Sequence, residues 1–289
     1  MANPTHPIGD TDPAKHKPQA FLRWAGSKRQ LIPALSSYWD GGYSRYVEPF
    51  AGSASLFFNL SPSRALLGDI NADLMATYQQ LRDDVDSLLS ALRALKKGRE
   101  NYLRLRALDP STLAPPSRAA RFIFLNRFCF NGLYRTNRAG QFNVPYGGEK
   151  SGEIPADEVF LRCSSCLRNA ELLSGGFETT LEKVRPGDFV YMDPPFSVQA
   201  SRVFNEYDAA VFCLENIRCL REWLLQLDRA NVPFLVSYAD SEEANFLAKG
   251  FCTERVTTRR NIAGFAANRR CEHELLISNR RPRSDGGIT

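Results

Sequence analysis

Two stretches of this chain alternate short apolar strands with helices, and an irregular basic segment separates them. The first stretch has predicted strands at 45–50 and 65–67, joined by an apolar helical segment at 54–60. The second has strands at 189–192 and 232–238, with a helix between them marked by apolar residues every three or four positions. Because alternating strands and helices form parallel sheets covered by helices, this pattern predicts an α/β fold.

Further elements follow from local patterns. Apolar residues at helical spacing predict one long helix over 83–108. A helix is also expected from 241 to about 250, followed by an antiparallel pair of strands at 255–258 and 273–278. The basic, aromatic and Asn/Gly-rich stretch at 117–150 has no regular period, so no element is assigned to it.

The net charge of +5 is unevenly distributed along the chain. Residues 118–150 hold six Lys and Arg against one acidic residue, and residues 255–283 hold eight Arg against two acidic residues. The rest of the chain is therefore net acidic. Two basic segments on an acidic body favour a groove for a polyanion, although a single basic run is more often a solvated face.

Membrane, secreted and metal proteins are not expected from this sequence. No uninterrupted apolar run has the length of a membrane span, and the polar, Pro-rich residues 1–19 lack the apolar centre of a secretory signal. The 7 cysteines are expected to be reduced thiols in the cytoplasm. Cys163 and Cys166 have metal-ligand spacing but no second pair, so we expect free thiols at the start of a helix and no metal.

The turn after the first predicted strand has the layout of a nucleoside site. Residues 47–52 read Val-Glu-Pro-Phe-Ala-Gly, and Asp69 ends the next strand seventeen residues beyond Gly52. In such sheets the glycine lets the backbone approach a ligand, and the acid accepts two ribose hydroxyls. The chain has no GxGxxG motif, which favours a nucleoside without a pyrophosphate. An ordinary strand–turn–helix with a surface aspartate is an equal alternative for this motif alone.

Asp193-Pro194-Pro195-Phe196 follows the predicted strand at 189–192, at the end of the strand where open α/β sheets bind ligands. The prolines remove two backbone N–H donors, which leaves a carboxylate and carbonyl oxygens beside an aromatic ring. These acceptors suit an exocyclic amine that donates two N–H groups while the ring stacks on the base. A charge-assisted hydrogen bond contributes about 1.5–3 kcal/mol, and stacking adds about 1–3 kcal/mol.

A third motif, Phe-Leu-Arg-Trp-Ala-Gly-Ser-Lys at 21–28, indicates no function by itself. In order along the chain, however, the three motifs together resemble those of the Dam-type DNA adenine-N6 methyltransferases of the alpha class. The resemblance extends from Phe21 to about Arg280. Its further matching segments are 68–71 (GDIN), 130–135 (FNGLYR), 142–147 (FNVPYG), 259–262 (RRNI) and 272–276 (EHELL).

The resemblance implies an α/β, Rossmann-like S-adenosylmethionine-dependent methyltransferase fold with an inserted, mostly helical target-recognition domain. The catalytic domain would comprise 20–74 and 166–280, the recognition domain 75–165, and the tails 1–19 and 281–289. The first tail is expected to be disordered. The implied partner is double-stranded DNA. One recognition region per catalytic site favours a monomer, and a cytoplasmic, nucleoid-associated protein is expected.

Matching positions also imply roles in cofactor binding and catalysis. The residues expected to bind S-adenosylmethionine are Trp24, Lys28, Phe50, Gly52, Asp69 and Asp193. Lys28 would lie near the methionine carboxylate and Asp69 would hold the ribose, with Phe177 as a further candidate beside the adenine ring. The catalytic residues are expected to be Asp193, Pro194 and Phe196. The carboxylate and the Pro194 carbonyl would accept from the amine, and Phe196 would stack on a flipped-out adenine.

In this mechanism the methyl group moves in line from sulfur to N6, and most of the rate comes from orientation. Neither a metal nor a covalent nucleophile is needed.

The central segment would read the DNA sequence. The residues expected to contact DNA are Asn131, Leu133, Arg135, Pro145, Arg127, Arg138 and Arg260. Arg135 is the candidate for a bidentate contact with a guanine edge, which discriminates by about 1–3 kcal/mol. Leu133 and Pro145 match the apolar readers of the family, which favours GATC, although residues 148–150 match poorly. The last three arginines of the set are interpreted as phosphate contacts, which give affinity without sequence information.

The same motifs are also compatible with other functions. Asp-Pro-Pro sites also accept the N4 amine of cytosine, so a cytosine-N4 DNA methyltransferase is the enzyme alternative. A DNA-binding protein without catalysis is the alternative of another class, and the intact Lys28, Asp69 and Asp193 speak against it. RNA methylation is less favoured, and glutamine methyltransferases normally have Asn in place of Asp193. A cytosine-C5 enzyme would need a Pro-Cys nucleophile, which this sequence lacks. Orphan, restriction-modification and phage enzymes would share these motifs.

Phe196 departs from the family motif, which usually ends in Tyr. Stacking on the base is retained and only the hydrogen bond of a phenol is lost, so we expect an active enzyme. Phe196→Tyr should change turnover by much less than the hundredfold that about 2.7 kcal/mol of barrier represents. Single-turnover methylation by the two proteins measures the difference, and a hundredfold gain would contradict this expectation.

Overall fold

The computed structural model describes residues 19–137, 139–195, 212–259 and 271–283. Within these residues, seven strands form one sheet in the order β3-β2-β1-β4-β5-β7-β6. The strands are β1 Arg45–Glu48, β2 Ala65–Asp69, β3 Ala170–Ser174, β4 Asp188–Met192, β5 Phe234–Ala239, β6 Cys252–Arg259 and β7 Cys271–Ser278. β1 to β5 run parallel, and β7 is antiparallel to both of its neighbours.

Ten α-helices lie in the same described ranges and confirm the α/β class. They are α1 Ile32–Ser36, α2 Ser55–Leu60, α3 Ala72–Asp83, α4 Val85–Arg93, α5 Arg99–Ala107, α6 Pro115–Phe128, α7 Asp157–Leu167, α8 Phe177–Leu181, α9 Leu214–Arg229 and α10 Glu242–Ala248. In the part of the chain that the structure describes, no helix combines the length and apolar character needed to cross a bilayer.

Helices cover both faces of the sheet because the strands alternate their side chains between two cores. Tyr46 and Tyr191 pack into the core under α1 to α4, α6 and α7, whereas Val47 and Val190 pack into the core under α8 to α10. A parallel strand that is buried on both faces reads as a continuous apolar run, as the predicted strands do.

The order of the strands reverses at the pair β1 and β4, which are adjacent and parallel. From β1 the chain continues outward to β2 and β3 on one side, and from β4 to β5 on the other. A crevice opens at such a reversal, outside the carboxyl ends of the strands. The arrangement confirms the expected Rossmann-like topology.

Three local predictions differ from the structure. The predicted helix 83–108 is two helices, α4 and α5, separated by residues 94–98. Gly98 is the N-cap of α5, and its φ of 140° is a non-helical conformation that favours glycine and interrupts a continuous helix. The edge strand β3 was missed, since its residues are mostly half-exposed and show no buried apolar run. Cys163 and Cys166 lie in the last turns of α7, not at a helix start, and both thiols are free.

Residues 117–150, which show no regular period in the sequence, include most of α6. Nine of the 14 residues of α6 are buried. α6 packs against α3, α4 and α5, so it has apolar neighbours on several sides and no polar face. A short 3-10 turn at Phe130–Gly132 follows. Antiparallel bridges then join Cys129 to Tyr146 and Thr136 to Phe142, and we call residues 129–146 the central hairpin.

The predicted division into a catalytic and a recognition unit stays a prediction, but its two boundaries fall within α3 and α7. Phe21, Tyr78 and Phe160 come from both predicted units and share one core. The ring centroids of Tyr78 and Phe160 lie 5.7 and 5.3 Å from that of Phe21.

In the predicted tail after 280, the Arg283 N–H donates to the Ser37 carbonyl at 3.0 Å. The predicted tail 1–19 lies outside the described residues except for residue 19.

A buried ion pair fixes the amino ends of β1 and β4, at the opposite edge from the crevice. Arg45 donates to both carboxylate oxygens of Asp188, at 3.2 and 2.7 Å, and to the Lys183 carbonyl. We expect Arg45→Met to lower the free energy of unfolding by about 3–5 kcal/mol, because it leaves a buried carboxylate unpaired. Denaturant unfolding measures this loss.

The matched double variant Arg45→Met/Asp188→Leu removes both charges and should recover most of the stability. A single variant as stable as the unchanged protein would show that the pair contributes little.

Candidate functional site

A cleft of about 1420 Å³ lies at the carboxyl ends of β1, β2 and β4. It brings together most of the residues predicted from the sequence. Those that line it are Trp24, Lys28, Phe50, Gly52, Asp69, Phe177, Asp193 and Pro194 from the predicted cofactor and catalytic sets, and Asn131, Leu133 and Arg135 from the predicted DNA readers.

Asp69 ends β2 and is held in place by the backbone. The Gly52 N–H donates to one carboxylate oxygen of Asp69 and the Asn71 N–H to the other, both at 2.9 Å. Burial raises the pKa of Asp69, opposed by these two hydrogen bonds. A carboxylate has about four lone-pair sites, so two remain for a ligand. The arrangement suits a vicinal diol such as a ribose.

Gly52 forms the turn between β1 and α2, where the backbone has φ 46°. A Cβ atom there would lie 2.9 Å from the indole Nε1 of Trp24, so only glycine fits between the turn and this ring. The Tyr78 hydroxyl donates to the Gly52 carbonyl at 2.7 Å. The wall of the cleft is therefore a glycine turn pressed against an indole.

Aromatic rings form the opposite wall. Phe50 stacks on Phe177 with centroids 5.3 Å apart and planes at 25°, and Phe212 packs edge-on against Phe50 at 5.8 Å. Phe177 begins α8, directly after the Gly175-Gly176 turn. Flat apolar surfaces of this kind accept a purine ring.

Lys28 forms a buried ion cluster with two carboxylates. Its Nζ lies 3.0 Å from Asp193 Oδ1 and 3.1 Å from Glu274 Oε2. The Lys28 and Glu274 side chains are 6% and 7% exposed, whereas Asp193 is 23% exposed. Ser237 Oγ also donates to Asp193 Oδ1 at 3.2 Å, and it lies 2.9 Å from the Tyr191 hydroxyl. The cluster thus orients Asp193, whose carboxylate faces the cleft.

The protonation states follow from burial and from these neighbours. Burial raises the pKa of Asp193 to about 6, with Lys28 opposing the rise and Glu274 adding to it. Burial by itself would lower the pKa of the Lys28 ammonium, but Asp193 and Glu274 outweigh it and the pKa lies above its usual value. At neutral pH, Lys28 is therefore charged and Asp193 is mostly ionised.

Glu48 is a further carboxylate of the cleft, at the end of β1 between Asp69 and Asp193. It accepts a hydrogen bond from the Tyr46 hydroxyl at 3.0 Å. Burial, with Asp193 and Asp69 nearby, raises its pKa well above the usual value. The ends of three adjacent strands thus carry acids, and a positively charged ligand beside Glu48 would favour its ionised form.

The central hairpin brings the predicted DNA readers together. The Phe130 N–H donates to the Pro145 carbonyl at 2.9 Å, so Pro145 lies beside the turn that contains Asn131. Arg135 is exposed, and its Nε donates to Asn143 Oδ1 at 2.8 Å. Leu133 is 38% exposed. Pro145 is also exposed, but it does not line the cleft. Their roles in reading DNA stay predictions.

Arg127 is half-buried and donates to two backbone carbonyls, those of Glu153 at 2.6 Å and Phe21 at 3.2 Å. It joins the segment after the central hairpin to the amino-terminal motif. Its predicted phosphate contact is not tested by these bonds. Three other predicted residues, Phe196, Arg138 and Arg260, lie outside the described residues. Within the described ranges, no three side chains of His, Cys, Asp or Glu come together as metal ligands.

Sequence reasoning missed several residues of the site: Glu48, Tyr134, Tyr191, Ser237 and Glu274. One of them carried a signal, since Ser237 is a buried polar residue inside the otherwise apolar strand β5. A polar side chain that is buried in such a strand needs a hydrogen-bond partner, so contact with another polar group is indicated. The partner itself could not be identified from the sequence.

Comparisons with known proteins agree on one family. Residues 24–262 match the model of the D12 class N6 adenine-specific DNA methyltransferases. A type II methyltransferase of Lactococcus lactis subsp. cremoris is 34% identical over 268 residues, which cover 90% of this chain and 94% of the relative. One from Methanocaldococcus jannaschii is 32% identical, covering 90% and 98%. The DNA adenine methylase of Escherichia coli (strain K12) is 31% identical, covering 90% and 95%.

The ion cluster predicts opposite pKa changes at Asp193 for two neighbouring substitutions. Glu274→Gln removes a negative charge that raises the pKa of Asp193, so this pKa should fall below about 6. Ser237→Ala removes a hydrogen bond to the carboxylate, so the same pKa should rise above about 6. The carboxyl ¹³C shift of Asp193, followed against pH, measures both. Shifts in the same direction would contradict the proposed arrangement.

Proposed function

Since the chain belongs to the D12 class of N6 adenine-specific DNA methyltransferases, we propose that it methylates a flipped-out adenine in GATC sites of double-stranded DNA with S-adenosylmethionine as donor. The observation that carries this proposal is the cleft itself. It holds Asp69 and Asp193 on either side of β1 and has Asn131, Leu133 and Arg135 along its rim. One chain thus supplies a nucleoside site, an amine acceptor and predicted base readers.

The residues of the cleft fit S-adenosylmethionine. Asp69 would accept the ribose hydroxyls with the lone pairs that Gly52 and Asn71 leave unused. Phe50 and Phe177, which stack on each other, would border the adenine ring of the cofactor. The carboxylates at the ends of β1 and β4 favour the positive sulfonium, which supplies the methyl group when bound. A substituent on Gly52 would clash with Trp24, which also lines this cleft.

Asp193 would accept one N–H of the target amine, and the Pro194 carbonyl would accept the other. Both acceptors then hold the lone pair of N6 in line with the methyl carbon, which is the main requirement of the transfer. Asp193 accepts more strongly when it is ionised, and with a pKa of about 6 it is mostly ionised at neutral pH. Lys28 would act through Asp193 by holding the carboxylate in place, as its 3.0 Å contact suggests.

We assign residues 75–165 to target recognition and 20–74 with 166–280 to catalysis. The basic charge of 118–150 supports contact with the phosphate backbone, and the hairpin residues Leu133, Arg135 and Pro145 support reading of GATC. Because predicted readers and Asp193 line one cleft of one chain, a monomer suffices for the reaction.

Methyl transfer from labelled S-adenosylmethionine to unmethylated plasmid tests the function, with sequencing that reports each modified base and its context. N6-methyladenine confined to GATC is expected. N6-methyladenine at another sequence would overturn the assignment of the readers and keep the chemistry. N4-methylcytosine, or no label in DNA, would overturn the proposed reaction.

Arg135 provides a test of base reading. Arg135→Ala should reduce discrimination at one G·C pair of the site by about 5- to 150-fold, the equivalent of about 1–3 kcal/mol. The measurement is kcat/KM on duplexes that carry GATC or a single substitution at that pair. Arg229→Ala is the matched control, because Arg229 is an exposed arginine in the last turn of α9 and does not line the cleft. Equal discrimination by the Arg135 variant and the unchanged protein would remove Arg135 from the readers.

A further inference from the structure

Tyr134 connects the two walls of the cleft. It lies between the predicted readers Leu133 and Arg135, and its ring stacks on Trp24 with centroids 6.0 Å apart and planes at 19°. Trp24 in turn presses against the Gly52 turn, where a Cβ would come within 2.9 Å of the indole. A stack therefore runs from the glycine turn of the cofactor site to the hairpin that carries the readers.

A second connection runs through the Tyr134 hydroxyl. The Asn71 side chain lies near this hydroxyl and lowers its pKa, and the Asn71 N–H donates to Asp69 at 2.9 Å. Burial raises the pKa of Tyr134 to about 12, so the hydroxyl keeps its proton at neutral pH. Tyr134 thus contacts the cleft through its ring and its hydroxyl, on two different elements.

The backbone conformation beside Tyr134 restricts the directions in which the side chains of Leu133 and Arg135 point. Leu133 is extended, with φ −71° and ψ 146°, and side chains alternate along extended backbone. Tyr134 is half-buried against Phe122 and Phe142, each 5.6 Å away, whereas Leu133 and Arg135 are exposed. The inward position of Tyr134 therefore sets the outward direction of both neighbours.

We propose that Tyr134 is a positioning residue that couples occupancy of the cofactor site to reading of the DNA sequence. A nucleoside ligand that fills the space beside Gly52 and Asp69 fixes Trp24 and Asn71, and these hold Tyr134 in the orientation that presents Leu133 and Arg135. This proposal rests on the proposed function, because it takes a nucleoside cofactor and duplex DNA as the two ligands.

The coupling is measured as a ratio of dissociation constants. S-adenosylhomocysteine serves as the cofactor probe because it has no methyl group to transfer. The affinity of a GATC duplex is measured with and without it, and its own affinity is measured with and without the duplex. Thermodynamic linkage requires the two ratios to agree, and couplings of this kind are typically about 5- to 150-fold.

Tyr134→Leu should reduce this ratio to about onefold, because leucine cannot stack on Trp24. The affinity for S-adenosylhomocysteine in the absence of DNA is the reference within the ratio, so a general weakening of the cofactor site cancels. Tyr134→Phe keeps the stack on Trp24 but loses the hydroxyl, so its ratio should lie between those of Tyr134→Leu and of the protein without substitutions. Tyr43→Leu is the matched control, since Tyr43 stacks on Phe189 at 5.1 Å and 28° but does not line the cleft. It should retain the coupling fully.

Several outcomes would overturn the proposal. They include an unchanged ratio in Tyr134→Leu and an equal loss in Tyr43→Leu. The proposal would also be overturned if the protein without substitutions bound both probes but showed a ratio of dissociation constants of about one. That result would leave the proposed reaction intact. An unchanged protein that binds neither probe would overturn the proposed function, and this inference with it.

Discussion

The buried ammonium group of Lys28 holds together three distant parts of the chain. A charge that is removed from water is tolerated only when it is paired and hydrogen-bonded. Lys28 meets this requirement with Asp193, which follows β4, and Glu274, which lies in β7. The amino-terminal motif, the Asp-Pro-Pro motif and the last strand therefore take up fixed positions relative to one another. The carboxylate that faces the cleft is oriented as a consequence of this pairing.

The strand order of the sheet places Asp193 of this cluster at the edge of one crevice. The strand order reverses between β1 and β4, so the residues that follow these strands border one crevice. The helices of the central segment pack into the same core as the sheet, through rings such as Phe21, Tyr78 and Phe160. The central hairpin is therefore placed by the core, and Trp24 and Tyr134 set its position against the cofactor site.

Local patterns were sufficient for the class of fold and for the two acids at the strand ends. Apolar runs followed by glycine or proline turns predicted the parallel strands, and Asp69 and Asp193 stand where such strands end. The same reasoning failed for α6, where burial on several sides removed the helical period, and for the helix that Gly98 divides. Family resemblance, rather than periodicity, predicted that the central segment belongs to the same site.

The sequence by itself determined the parallel α/β class, the order of the motifs and the acidic residues at the ends of β2 and β4. These properties depend on neighbours within a few residues, and the chain carries that information locally. Only the tertiary structure decided that Glu274 and Ser237 hold the Asp193 cluster and that Tyr134 of the central hairpin stacks on Trp24. Such contacts link residues far apart in the chain, and they form only when packing of the two cores fixes the distances between strands and helices.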